Sequence, residues 1–143
     1  MTNTDKKSVD MKSLQEHLIK NGINPSFQRL KILEYLMNND THPTVDNIYN
    51  ALIDIIPTIS KTTIYNTLKL FVEKKLAQTI TIDENEVRYD GNVEPHAHFK
   101  CIKCGRIYDI KIDSSNFDYN QIDGHKVLEC HIYLKGVCKN CLK

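Results

Sequence analysis

The sequence predicts an α+β protein built in two parts, and three observations carry that reading. Four helical patterns fill the first half and run directly into an alternating hairpin pattern. After Asp90-Gly91-Asn92 the pattern changes to short strands. Those strands are bracketed by two cysteine couples, Cys101-Ile102-Lys103-Cys104 and Cys138-Lys139-Asn140-Cys141. Each couple sets two thiolates on one tight turn, and two such turns supply the four soft ligands of a closed tetrahedral zinc site.

Met11, Leu14 and Leu18 follow helical spacing and stop at Asn21-Gly22, a C-terminal signal. Asn24-Pro25 is expected to cap and start a second helix, with Phe27, Leu30, Leu33 and Leu36-Met37 on its buried stripe. Thr44 is the expected N-cap of a third, with Val45, Ile48 and Leu52 inward and Pro57 closing the segment. Ser60 caps a fourth, whose inner face is Ile64, Leu68 and Phe71-Val72. Its outer face is Lys61, Thr62, Tyr65, Asn66 and Lys69. Short polar residues near the N-terminus with lysines alongside suit entry into a DNA major groove, although a plain solvated face has the same composition. The segments Ala77–Ile82 and Glu86–Tyr89 alternate around the turn Asp83-Glu84-Asn85. Helices followed at once by a hairpin describe a winged helix, and that context favours the DNA reading. The boundary is expected close to this hairpin, dividing the chain into 1–84 and 85–143.

His98–Ile102 and Arg106–Ile110 are expected as strands flanking the first cysteine turn, with Gly105 serving it. Ser114–Ile122 reads as a short helix and Val127–Val137 as strand-rich. Zinc on Cys101, Cys104, Cys138 and Cys141 would staple the C-terminal segment to the start of this domain, where a small core gains most from a metal. A redox C-x-x-C is the competing reading, but it accompanies a βαβ pattern that this sequence lacks. Cys130 has no couple and is expected to be a buried small hydrophobe. His17, His125 and His131 are expected as surface or packing residues.

His96-Ala97-His98 is a different chemistry. On a strand, residues two apart point to the same side. Asp90 near the joint and Asp109 on the neighbouring strand can add carboxylates. Imidazoles with carboxylates suit Fe(II), Mn(II) or Zn(II), and bind less tightly than four thiolates.

Composition sets the frame. The chain has 143 residues, of which 41% are apolar and 26% charged, as in an ordinary globular protein. Its polar opening lacks a secretory signal pattern and no apolar run approaches membrane-spanning length, so a cytoplasmic location is expected. There, paired cysteines are metal ligands more often than disulfides. Net charge is +1, with ten basic against eight acidic residues up to position 82 and nine against ten beyond it. So small an asymmetry does not by itself establish nucleic-acid binding.

Taken in order, Gln28-Arg29, Asp40-Thr41-His42-Pro43-Thr44, Thr63–Leu68, Arg88-Tyr89-Asp90, His96–Gly105 and Gly136–Cys141 resemble the ferric uptake regulator (Fur) superfamily of metal-responsive bacterial repressors, over nearly the whole chain. The resemblance implies an N-terminal winged-helix DNA-binding domain and a C-terminal α/β dimerisation domain, hence a homodimer on double-stranded operator DNA and no enzyme activity. Arg29 joins the outer face of the fourth helix as an expected DNA contact. Within the family the chain most resembles the peroxide-sensing repressors. That implies a regulatory Fe(II) or Mn(II) on His42, Asp90, His96, His98 and Asp109, with structural Zn(II) on the cysteines. Asp109 stands where iron-uptake sensors usually carry Glu, and Asn66 where they tend to carry Arg. Two departures stand out: Ser26-Phe27 replaces the family's common Thr-Pro, and Cys130 stands where many relatives place a histidine for an additional metal.

The implied mechanism is oxidation of His42 or His96 by peroxide at bound Fe(II), loosening the joint between domains and releasing DNA. The nearest rival is an iron- or manganese-uptake regulator that reads metal concentration without losing a ligand. A two-histidine, one-carboxylate iron oxygenase and a thiol oxidoreductase are more distant rivals.

Overall fold

The computed structural model describes residues 10–39, 41–83, 85–94, 96–112, 121–128 and 130–143. It forms two units, Met1–Val93 and Glu94–Lys143. The division falls later than residue 84 because the hairpin's second strand pairs back onto the first and so stays with the helices.

Among the described residues of the first unit, each helix starts at a short polar residue whose side chain takes up an otherwise unbonded backbone N–H. Asp10 caps α1 (Met11–Lys20), Ser26 caps α2 (Phe27–Asn38), Thr44 caps α3 (Val45–Leu52) and Ser60 caps α4 (Lys61–Glu73). At α3 the capping is reciprocal. Asn47 N–H donates to Thr44 Oγ1 at 3.1 Å and Thr44 N–H to Asn47 Oδ1 at 3.0 Å. The second helix departs from expectation: Ser26, not Asn24-Pro25, is its cap. That later start turns Phe27 outward (56% exposed), and Met37 is also exposed, so the buried stripe is Ile32, Leu33 and Leu36.

Leu14, Leu18, Ile48, Ile64, Leu68 and Phe71 complete the core beneath the four helices. Burying each such side chain contributes roughly 1.5–3 kcal/mol before ordering costs are met. Strands β1 (Gln78–Ile80) and β2 (Arg88–Asp90) pair antiparallel, Gln78 opposite Asp90. They are shorter than the alternation suggested but form the expected wing. Gly91 follows at once, and a Cβ there would meet the Leu36 carbonyl oxygen at 3.1 Å, so its small size lets the end of β2 lie against α2.

The second unit is built on β3 (His96–Cys101), which pairs antiparallel with β4 (Ile107–Lys111) and parallel with β7 (Tyr133–Gly136). The helix expected over Ser114–Ile122 lies mainly outside the described residues. Its last two positions are strand: β5 (Gln121–Ile122) pairs with β6 (His125–Lys126) around Asp123-Gly124. No helix among the described residues is long and apolar enough to cross a membrane.

Candidate metal centres and nucleic-acid interface

Cys101 ends β3, and the chain turns through Cys104 to Gly105, whose φ of +77° suits glycine. The turn closes with Gly105 N–H donating to the Cys101 carbonyl at 2.9 Å. At the far end Cys141 N–H donates to the Cys138 carbonyl at 3.0 Å, a matching turn. Parallel pairing of β3 with β7 sets Gly136 opposite Cys101 and so carries the second couple to the first. Gly136 lies under the Phe99 ring, where a Cβ would come within 3.3 Å.

All four sulfurs lie within 4.8 Å of one another. Cys104 and Cys138 Sγ are 3.8 Å apart. Four sulfurs at about 2.3 Å from a tetrahedral zinc would be spaced by about 3.8 Å, so the set matches that geometry. Cys101 Sγ accepts the backbone N–H of Cys138 at 3.3 Å and of Cys104 at 3.4 Å. These two donors, Cys104's first, favour its thiolate and lower its pKa to about 6. The neighbouring sulfurs, Cys138 first, push Cys141 up to about 12, since one thiolate disfavours the next until a cation joins them. Tyr108, on β4, hydrogen-bonds Cys138 and lowers its pKa, a partner that cysteine spacing could not reveal. Cys130 is exposed, contrary to its expected burial. It follows β6 in a segment where His125, Lys126, Leu128 and His131 are also exposed, and among the described residues no buried cluster includes it.

On the same strand, His96 and His98 do face one side. Each Nε2 lies 3.4 Å from the same oxygen of Asp109, and the ring centroids are 4.4 Å apart. Asp109 is there because it is the direct cross-strand partner of His98. His96 Nδ1 lies 2.7 Å from the Glu94 carbonyl oxygen. A carbonyl only accepts, so Nδ1 carries the proton and Nε2 keeps its lone pair, as a metal-binding histidine requires.

The first unit holds a smaller donor pair. His42 is 2% exposed and adopts φ +57°, an uncommon conformation for a non-glycine residue, and more so before a proline. Its Nε2 lies 3.7 Å from Asp90 Oδ2. Two contacts hold this loop against β2, and a third anchors Arg88 itself. Arg88 donates to the His42 carbonyl at 3.0 Å, Tyr89 N–H donates to the Pro43 carbonyl at 2.9 Å, and Arg88 pairs with Asp83 at 2.9 Å. Asp90 is oriented in turn by the Asn92 N–H at 2.9 Å. Arg88 was visible in sequence only as part of a motif, and its role depends on a residue far away along the chain.

On α4, Lys61, Thr62, Tyr65, Asn66 and Lys69 are all exposed. Lys61 pairs with Asp46 at 3.1 Å and lies over the Tyr49 ring. Arg29 donates to the Asn24 carbonyl at 2.7 Å and, with Asn66, lines a polar groove of about 440 Å³ between the start of α2 and α4.

Residues 20–135 match the ferric uptake regulator family. The chain belongs to that family. Among its relatives, the peroxide operon regulator of Bacillus subtilis (strain 168) is 35% identical over 137 residues, covering 94% of each chain. The peroxide-responsive repressor PerR of Staphylococcus epidermidis is 36% identical, covering 87% of this chain and 85% of its own. Among solved structures, the ferric uptake regulator of Helicobacter pylori superposes with a TM-score of 0.73 at 20% identity, covering 96% of this chain and 97% of that one. PerR of Streptococcus pyogenes gives 0.53 at 26%, covering 97% and 98%. This member of the ferric uptake regulator family therefore carries a four-thiolate set, as well as imidazole and carboxylate donors in both units.

Proposed function

We propose that this chain is a metal-dependent, DNA-binding transcriptional repressor that senses hydrogen peroxide. Relatives at 35–36% identity are named a peroxide operon regulator and a peroxide-responsive repressor. The observation that carries the reading is Asp109, one carboxylate oxygen at 3.4 Å from both His96 and His98. Two imidazoles and a carboxylate make a mixed nitrogen and oxygen set for Fe(II) or Mn(II), distinct from the all-sulfur set that suits Zn(II). In this proposal His42 and Asp90 complete the regulatory set. These five residues would hold the ion, and Fe(II) held by them would supply the chemistry that reduces a small oxidant.

Ferrous iron, when bound, supplies the reducing electrons that activate hydrogen peroxide beside its ligands. The rest is work for the chain's own residues. Glu94 keeps His96 Nε2 available, and Arg88 holds His42 in its loop. An oxidised imidazole is a poorer donor, so a set drawn from both units loses its grip on one of them. In a homodimer, the placement of two α4 helices decides whether both reach their half-sites. A coupling of roughly 1–3 kcal/mol is ordinary for such linkage, and about 5.5 kcal/mol accompanies a near-complete switch. The four cysteines hold zinc as scaffold and take no part in sensing.

Anaerobic loading with Fe(II), addition of stoichiometric peroxide and mass mapping of peptides test the proposal. Oxygen is expected on the peptide holding His42 or His96, in step with loss of DNA binding. Release of DNA with both histidines unmodified, or oxygen only on cysteines, would rule histidine oxidation out.

A further inference from the structure

The four-sulfur set is backed by two aromatic rings and a guanidinium that the proposed function does not use. Cross-strand pairing sets Tyr108 opposite Phe99, and Phe99 stands two residues before Cys101 on β3. Strand alternation therefore puts both rings on the face of the sheet that carries sulfur, opposite to His98 and Asp109. The two ring centroids are 6.4 Å apart. The Phe99 ring also lies against Gly136, two residues before Cys138. The Arg106 guanidinium lies over the Tyr108 ring, 5.2 Å from its centroid. Arg106 is fixed there by its backbone, whose carbonyl accepts the Cys101 N–H at 2.9 Å and ties the end of β3 to the start of β4.

The Tyr108 hydroxyl hydrogen-bonds Cys138. A thiolate only accepts, so the phenol donates. Cys138 is buried and Tyr108 half-buried, and a donor aimed at a charged acceptor out of bulk water makes one of the stronger kinds of hydrogen bond. Residues 100–106 and 135–143 hold six lysines and arginines and no acidic residue, so within these segments the thiolates are the only anionic side chains. Four thiolates outweigh a divalent zinc in charge, and donors around the sulfurs take up the excess. Cys101 takes its two donors from the backbone, where no substitution removes them. Cys138 depends for one of its donors on a side chain.

From this arrangement we infer that Tyr108, oriented by Arg106, is a positioning residue that guards the zinc-bound Cys138 thiolate against electrophiles. The inference rests on the zinc reading of the four cysteines. An electrophile attacks a thiolate through its lone pairs, and a hydrogen already bonded to one of them draws charge from the sulfur and slows the attack. The scaffold metal would then stay in place in the oxidant that the chain is proposed to sense.

The test uses the full-length, zinc-loaded protein and iodoacetamide, which forms a carbon–sulfur bond as iodide leaves. Initial rates are read at each cysteine by mass mapping, with fewer than one alkylation per chain. Tyr108→Phe keeps the ring and removes only the hydroxyl. It should speed alkylation of Cys138 roughly ten-fold and leave Cys101 at its wild-type rate. Arg106→Gln leaves the phenol and removes the cation over it, and should speed Cys138 by roughly two- to five-fold. An unchanged Cys138 rate in Tyr108→Phe overturns the inference. So does an equal acceleration at all four cysteines, because that reports a loosened fold and not a lost donor. Should Tyr108→Phe fail to fold, Arg106→Gln decides by the same comparison of Cys138 with Cys101. A folded wild type that takes up no zinc removes the zinc reading itself. Circular dichroism and zinc content of each variant separate a lost contact from a lost fold.

Discussion

Replacing Arg88 by methionine should disturb two properties at once, because one side chain holds the loop that presents His42. Methionine keeps the apolar stem and removes the guanidinium. The hydrogen bond to the His42 carbonyl comes from a charged donor into a buried loop, and such bonds contribute about 1.5–3 kcal/mol. The ion pair with Asp83, whose side chains are 22% and 13% exposed, adds up to about 1 kcal/mol after allowance for solvent. The contact with Glu86, at 3.7 Å and more exposed, adds nothing measurable. The first unit should therefore lose about 2–4 kcal/mol and melt roughly 10–20 °C lower. If His42 ligates the regulatory metal, losing its support should also weaken Mn(II) binding by roughly 10- to 100-fold. Calorimetric melting of the protein without regulatory metal reads the first effect, and titration with Mn(II) reads the second. A variant that melts within two or three degrees of wild type (order of magnitude as above) and binds Mn(II) equally would refute the reasoning. Lowered melting with unchanged Mn(II) affinity would retain the loop contact and remove His42 from the ligand set.

Cys138→Ser should abolish the roughly one zinc per chain expected from a closed site. It should also leave the second unit's amides exchanging freely, since structural zinc contributes to folding; full zinc content by elemental analysis would contradict the assignment. Leu68→Ala removes a fully buried side chain from beneath α4 and should cost about 2–5 kcal/mol in denaturant unfolding of the first unit, with zinc content unchanged. Asp109→Glu lengthens the carboxylate that now meets both imidazoles. It should preserve Mn(II)-dependent DNA binding while slowing peroxide inactivation, and a variant inactivated at the wild-type rate would show that this residue does not set the response.

What could be read from sequence follows the range of the interactions involved. Thr44 and Ser60 were legible as caps because a cap acts on a backbone group three residues away. His96 and His98 were placed on one side, and Asp109 beside them, because strand alternation and a short hairpin leave little freedom. The second helix was misjudged because Asn24-Pro25 and Ser26 are both acceptable starts. Choosing between them depends on which face packs against α1 and α4, and that choice turned Phe27 outward. Cys130 followed the general burial of free cysteines, which fails here because among the described residues no buried cluster includes it. Arg88 and Tyr108 act through partners brought near by the fold, so sequence spacing carried no sign of their roles.

Strand β3 has a consequence for how metals are kept apart. His96 and His98 occupy one face of it, and Cys101, an odd number of positions further on, faces the other. His98 and Cys101 are separated by roughly 10 Å of extended backbone. Nitrogen and sulfur donors therefore cannot be pooled around one ion, and zinc arriving at the thiolates cannot recruit an imidazole on its way. The sheet acts as a partition between a compartment for soft ions and one for hard ions. In the proposed mechanism, an oxidant produced on the histidine face would meet peptide backbone before it met sulfur. On the proposed reading, a six-residue strand would thus let a reactive metal and an oxidisable thiolate cluster share one small domain.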